Sequence, residues 1–316
     1  MKQFVKVLLV LSFFIRSIEA IEVSEDKATN QEESLDPEKS FQLALEFLER
    51  SSYDEAANQF QAIIEQRPDF SKLAECYYYL GISFYHLSEY DFANHSFSQY
   101  LKSTNQPKFF EETLGYKYAI AEKFRLGAKK RFFETKKMPK WASGQSLALQ
   151  IYDEVIFSLP CHDLAALSLF SKADIQWKNR EWREAIESYQ TLIRRFSKHE
   201  LAPESYLCIN KLYLEQAENE FQNPDLIALA QINVKKFSKD FPKDPRVSLA
   251  ENDLRLIQEI YARGLFETGQ YYERTSRKRA SIIYYHSAIN QFPDTKIAEL
   301  CRARIAALAP NLLTQS

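Results

Sequence analysis

The stretch from Tyr77 to Phe97 constrains the fold more than any other part of the chain. It reads Tyr77-x2-Leu80-Gly81-x2-Phe84, then Ala93-x3-Phe97. Leu80 and Phe84 stand four apart, so on a helix they share one face and project together toward a partner helix. Gly81 has no side chain and lets that partner come close, and small Ala93 does the same from the second helix. Phe97 fills the space one turn further on. Two helices packed through small residues are implied. The second half of the pattern recurs: Ala56-x3-Phe60 leads to Pro68, Ala148-x3-Tyr152 to Pro160, and Ala230-x3-Val234 to Pro242, with proline twelve places after each alanine. Ala185-x3-Tyr189 ends in Phe196-Ser197 instead, and Ala280-x3-Tyr284 reaches Pro293 one place late.

The pattern resembles the tetratricopeptide repeat, whose period is about 34 residues. Two of the alanine steps here are 37 residues and three are longer. The expected fold is all-α: an irregular α-solenoid of about five to six tetratricopeptide-like helical hairpins, with inserted loops. Only 6 Gly against 18 Tyr and 23 Phe suits long helices packed by aromatic side chains. A net charge of −2 gives no bulk field favouring nucleic acid or an anionic membrane.

The N-terminus suggests a compartment. Met1-Lys2 and Lys6 form a positive region, Val7 to Ile15 an apolar run, and Ile18-Glu19-Ala20 a cleavage site. The run is too short for a helix spanning about 30 Å of hydrocarbon. Residues 1–20 are therefore expected to be a cleaved secretory signal. Residues 21–36, rich in Glu and Asp, are expected to be a disordered acidic tether. The remainder divides into an N-terminal repeat half at 37–160, a C-terminal half at 161–310, and a tail at 311–316. Asp36-Pro37 should begin the first helix and Tyr53-Asp54 the second; a later helix is expected from about Val247 to Leu265. Cys76, Cys161, Cys208 and Cys301 read as free buried thiols, with a disulfide left open by the oxidising compartment.

Three regions are candidate binding sites. The first helices of the hairpins should line a groove, through Phe41, Leu45 and Leu48 in the first and Tyr78, Ile82 and Tyr85 in the second, with Glu75 and His86 at the margins. Such an aromatic groove suits peptides with aromatic anchors. An insert splits the third hairpin and carries Lys129, Lys130 and Arg131, then Phe132-Phe133, Lys136-Lys137, Lys140 and Trp141. Exposed aromatics beside dense positive charge suggest a docking loop; a solvated loop is the alternative. Finally Arg274, Arg277, Lys278 and Arg279 crowd one turn beside Tyr271 and Tyr272, and guanidinium groups suit bidentate pairing with carboxylates on a partner. No HExxH, GxSxG or phosphate-cradling glycine loop occurs, so no catalytic residue, metal or cofactor is expected.

The last repeat carries a closer resemblance. Tyr271-Tyr272-Glu273-Arg274…Arg279-Ala280…Ile283-Tyr284-Tyr285…Ile289…Phe292-Pro293-Asp294-Thr295 is similar to the final repeat of the BamD (YfiO) family, tetratricopeptide lipoproteins of the outer-membrane β-barrel assembly machinery. The resemblance covers roughly residues 37–308. It implies a periplasmic scaffold whose C-terminal repeats bind POTRA domains of the barrel insertase and whose N-terminal groove receives unfolded outer-membrane protein segments. Members of that family are anchored by an acylated cysteine, whereas no cysteine here lies near Ala20. A peripheral attachment to the inner face of the outer membrane through protein partners is therefore expected. The other reading is a different cell-envelope adaptor, of the Tol-Pal or cell-division accessory type; those usually add a coiled coil, and no heptad run is visible.

Overall fold

Among the described residues one helix-ending turn is used four times with a residue other than glycine. Ser51, Ser88, Arg180 and Ser276 all adopt left-handed backbone, with φ of 58°, 60°, 62° and 63°. Each follows the last turn of a helix and closes it with the same two bonds. In the first case Ser52 N–H donates to the Phe47 carbonyl and Ser51 N–H to Leu48; Glu89 and Ser88, Glu181 and Arg180, and Arg277 and Ser276 repeat the arrangement. This is the Schellman motif, which satisfies carbonyls that a helix end leaves unpaired. Five residues beyond each left-handed position stands a buried small residue: Ala56, Ala93, Ala185 and Ser281.

The computed structural model describes residues 36–131, 139–219, 223 and 225–308. The expected signal segment 1–20, the tether apart from Asp36, Phe132-Phe133 and Lys136-Lys137 of the insert, and the tail lie outside them. Among the described residues there are thirteen α-helices and one two-stranded ribbon: α1 Pro37–Glu49, α2 Tyr53–Gln66, α3 Leu73–His86, α4 Tyr90–Ser103, α5 Phe110–Arg125, β1 Lys129–Lys130, β2 Ala142–Ser143, α6 Gln145–Ser158, α7 Asp163–Lys178, α8 Trp182–Arg195, α9 Leu201–Asn219, α10 Asp225–Asp240, α11 Arg246–Arg274, α12 Lys278–Gln291 and α13 Lys296–Leu308. Successive helices pair as six hairpins, and α13 packs on the last. The fold is the all-α repeat class that the spacing predicts.

The chain forms two compact units, Met1–Lys108 and Phe109–Ser316. The first holds hairpins α1–α2 and α3–α4. Asp36 caps α1 by accepting from Glu38 N–H at 3.2 Å, with Pro37 in the first turn. Its core is aromatic: Phe41 meets Phe60 edge-on at 6.0 Å, Phe60 stacks on Tyr79 at 5.8 Å, and Tyr78 lies 5.3 Å from Tyr100. Gly81 does what its position predicts. A Cβ built there would stand 2.6 Å from the Phe97 ring, so only glycine lets α3 and α4 approach this far.

The second unit holds the other four hairpins and α13. Packing runs without a break through residue 160, because α6 and α7 lie against each other; the compact division falls at 108/109, not at the 160/161 boundary used to divide the repeats in sequence. Two further differences matter. The helix expected over 247–265 continues to Arg274 as a single element of 29 residues. Its Gly269 is not a break but a contact point, where an added Cβ would lie 2.5 Å from the Tyr285 ring. The small residue of the last hairpin is accordingly Ser281, fully buried, with Tyr285 four places on, and not Ala280 with Tyr284. Pro293 then falls twelve places after it, as a proline does after Ala56, Ala148 and Ala230.

Polar groups tie the second unit together. Fully buried Lys117 of α5 pairs with Glu154 of α6 at 2.9 Å. Arg125 joins Glu122 on its own helix to Asp174 on α7, and the Tyr152 hydroxyl donates to Glu122 at 2.5 Å. Asn233 of α10 donates to Asn210 of α9, which donates to the Ala250 carbonyl of α11. Among the described residues no helix is long and apolar enough to cross a membrane. Cys76, Cys208 and Cys301 are buried, but Cys161 is exposed, because it sits in the turn between α6 and α7; all four are free thiols.

Candidate functional site

The expected groove of the first unit is only partly available. Phe41 is 2% exposed and Tyr78 is 6% exposed. Phe41 is enclosed by Phe60, Phe70 and Tyr79, and Tyr78 by Tyr79, Phe97 and Tyr100. Both are core residues, which corrects their placement in a groove. In a hairpin this narrow the aromatic needed to fill the interior comes from the same face that spacing alone assigns to binding. Leu45, Leu48, Ile82 and Tyr85 are half-buried and keep a surface. Tyr85 lies 5.8 Å from Tyr90, and His86 stacks on Tyr53 at 4.3 Å.

The insert of the third hairpin begins as a short ribbon. Helix α5 ends at Arg125 and the turn after it holds Gly127, whose φ of +105° suits glycine; Lys129 and Lys130 then pair antiparallel with Ser143 and Ala142. Lys129 is exposed, Lys130 and Arg131 are half-buried, and Trp141 is exposed. The ribbon brings the two ends of the insert together, so Lys129 and Trp141 project from one base.

The turn of the sixth hairpin is the most developed of the three regions. Arg274 ends α11, and Arg277, Lys278 and Arg279 open the way into α12; all four are exposed. None has an ion-pair partner among the described residues. Glu273 is the single acid between Tyr271 and Arg279, and it is already engaged. Arg304 of α13 pairs with it, and the buried Tyr285 hydroxyl donates to it at 2.9 Å. Burial alone would raise the Glu273 carboxyl, but these hydrogen bonds outweigh it and hold it below the usual range. Lys278 adds a favourable charge interaction with Glu273, while Arg274, Arg277 and Arg279 have no ion pair among the described residues. Tyr271 is exposed beside them, and Tyr272 stacks on Tyr284 at 5.3 Å. Exposed Ile283 of α12, the neighbour of Tyr284, adds an apolar group that is not among the sequence-predicted site residues. Cations flanked by aromatic and aliphatic surface can seat an acidic partner; among the described residues, no group of three His, Cys, Asp or Glu could hold a metal.

Comparison with known proteins bears on the repeats. Two family descriptions match, each as a tetratricopeptide repeat: one over residues 41–104, which spans α1 to α4, and one over residues 167–199, which spans α7 and α8. No curated protein matches in sequence. Among solved structures, similar ones include a tetratricopeptide repeat protein from Parabacteroides merdae, at 11% identity and TM-score 0.37, covering 87% of this chain and 99% of that one. MamA from Desulfovibrio magneticus RS-1 is 16% identical with TM-score 0.36, covering 68% of this chain and 95% of its own. The apo form of RapI is 12% identical with TM-score 0.39, covering 92% and 80% respectively. Scores at this level carry no functional argument. The matched segments, residues 41–104 and 167–199, coincide with hairpins that share the same turn and the same small-residue contact, so tetratricopeptide repeats, units that serve protein–protein interaction, are present in those two parts of the chain.

Proposed function

We propose that the protein is a non-enzymatic periplasmic scaffold of the outer-membrane β-barrel assembly machinery. In this reading its sixth hairpin docks the POTRA-bearing insertase, and its first unit receives unfolded barrel segments. The observation that carries the proposal is the turn at 274–279. Four cations there are exposed and without an ion pair among the described residues, beside Tyr271, within the segment whose residues resemble the BamD family. A helical turn needs no such charge density for its own stability, since exposed ion pairs are worth only ~0–1 kcal/mol. The half-exposed Leu45, Leu48, Ile82 and Tyr85 support the substrate role of the first unit. The proposal places the chain at the inner face of the outer membrane, held by its partners.

The test is a cross-linked pull-down from envelopes with wild type and the Arg274→Glu/Arg277→Glu variant. Wild type should recover a barrel protein with POTRA domains, and purified components should associate more slowly with the variant and with a flatter salt dependence. The melting temperature should stay nearly constant. Recovery of no POTRA protein, or equally fast capture by the variant at low and moderate salt, refutes the assignment.

A further inference from the structure

A trough runs in the cleft between α8 and α10, floored by α9. Two adjoining cavities of 610 and 380 Å³ share Gln190, Arg194, Tyr213 and Leu229, so they form one trough. The wall from α8 presents Ile186, Gln190 and Ile193, which recur at four and three residues. The floor is Tyr206 and Tyr213, two helical turns apart and nearly buried. The α10 wall presents Leu229 and Ile232, which are 43% and 52% exposed. The core side of α10 is already filled by Leu226, Ala230, Val234 and Phe237, so Leu229 and Ile232 are apolar surface beyond what packing uses.

The rim carries the second observation. Arg183, Arg194 and Lys236 line the trough, and among the described residues Glu187 is the single acid that lines it. These three cations have no ion pair among the described residues, although the chain as a whole is formally −2. Neighbouring cations are committed: Arg195 donates to the Pro160 carbonyl, and Arg246 is held by Asp244 and Glu204. An apolar trough with a positive rim complements an apolar ridge with acidic flanks.

We infer that this cleft binds an acidic amphipathic helix of a partner protein. Its walls are helices whose main-chain groups are already paired, so an extended peptide would find no free backbone donors or acceptors and would leave its own unsatisfied. A helix brings its main chain already satisfied. From Arg183 to Arg194 the wall runs eleven residues, about 16 Å at 1.5 Å per residue, which accommodates three helical turns. This surface is separate from the turn of the sixth hairpin, and the inference does not depend on which assembly the protein joins.

The probe is a fluorescent synthetic 14-residue helix with Leu at spacings of three and four and Glu on its flanks, titrated by anisotropy against the full chain. The controls are its scrambled sequence and a counterpart with Lys in place of Glu. The acidic helix should bind saturably, at least about tenfold tighter than either control. Ile232→Glu should weaken it at least about tenfold, and Arg194→Glu/Lys236→Glu should weaken it and abolish its salt dependence. All three positions are exposed, so circular dichroism and sedimentation should match wild type. Equal binding of the scramble or the basic peptide overturns the inference, as does affinity unchanged in Ile232→Glu. A wild-type dimer that Ile232→Glu dissociates also overturns it, by making a second copy the occupant.

Discussion

Replacing Gly269 by alanine tests the close approach of α11 and α12 quantitatively. The new Cβ would lie 2.5, 2.8 and 3.0 Å from Cε1, Cδ1 and Cζ of Tyr285. Ordinary carbon contacts begin near ~3.5 Å, so the ring or the helix must retreat by about 1 Å. The ring has little freedom, because Tyr285 is fully buried and its hydroxyl is held by Glu273. Overpacking of this kind destabilises by about 1–3 kcal/mol. Against it stands the gain in helix propensity, about 0.8–1 kcal/mol for glycine to alanine. Gly115 isolates that gain: it lies inside α5 of the same unit, and a Cβ there meets nothing within 4 Å. Gly115→Ala should therefore stabilise by about 1 kcal/mol. The propensity contribution cancels between the two variants, leaving a difference of about 1–3 kcal/mol that belongs to the helix contact alone. Urea unfolding followed by circular dichroism reads it as a displaced midpoint at constant slope. If Gly269→Ala stabilises as much as Gly115→Ala, the contact between the two helices is not tight and the argument from the glycine position fails.

Ser51→Gly, Ser88→Gly and Ser276→Gly should each stabilise by roughly 0.5–1 kcal/mol, because relief of left-handed strain of about 1–2 kcal/mol exceeds the extra chain entropy of glycine; a lowered melting temperature in all three would refute this. Tyr152→Phe should lower stability at pH 7 by about 1–3 kcal/mol and make acid unfolding begin at higher pH. The sign follows from Glu122. Burial tends to raise its carboxyl, but hydrogen bonds from Arg125, Ser171 and Tyr152 hold it below the ordinary 4.5, so its contribution is present above that value and lost as pH falls through the folded one. Identical acid midpoints in the two proteins would remove Glu122 from the account. Maleimide should label Cys161 alone in the folded protein, since burial shields the others and pushes Cys76 up to about 12 and Cys208 and Cys301 to about 11; rapid labelling of a second thiol would contradict the packing.

The hairpins were legible because their contacts are made by residues of extreme size at a constant spacing. Small residues at 56, 93, 148, 185 and 230 are all buried where the pattern puts them. The last hairpin was misread by one place because Ala280 and Ser281 are adjacent and both small; the distance to Pro293 was the discriminating signal. The helix expected from the sequence stops at Leu265, short of Gly269, whose place inside α11 only the facing Tyr285 explains. Phe41 and Tyr78 show a deeper limit, since spacing states which face an aromatic takes and not whether a neighbouring segment covers it. The cleft over α9 was missed for the converse reason: Leu229 and Ile232 belong to a stripe wider than the core requires, and only the stripe's width, not its period, carried the signal. Two-residue strands such as β1 and β2 have no periodicity to detect.

Helix α11 has a mechanical consequence. At 29 residues it is about 43 Å long, and it lies against α9, α10, α12 and α13 at once. In an ordinary solenoid each repeat touches only its neighbours, so an end can peel away one hairpin at a time. Here a pull on α13 or α12 is passed along one rigid rod to the hairpin before it. The rod cannot leave without also stripping α9 and α10 and breaking the Asn210 bond to Ala250. The last two hairpins and α13 should therefore let go together, as one block with a single force threshold and a single protection level in hydrogen exchange. A docking turn mounted on such a block can bear load from a partner without unravelling the chain behind it.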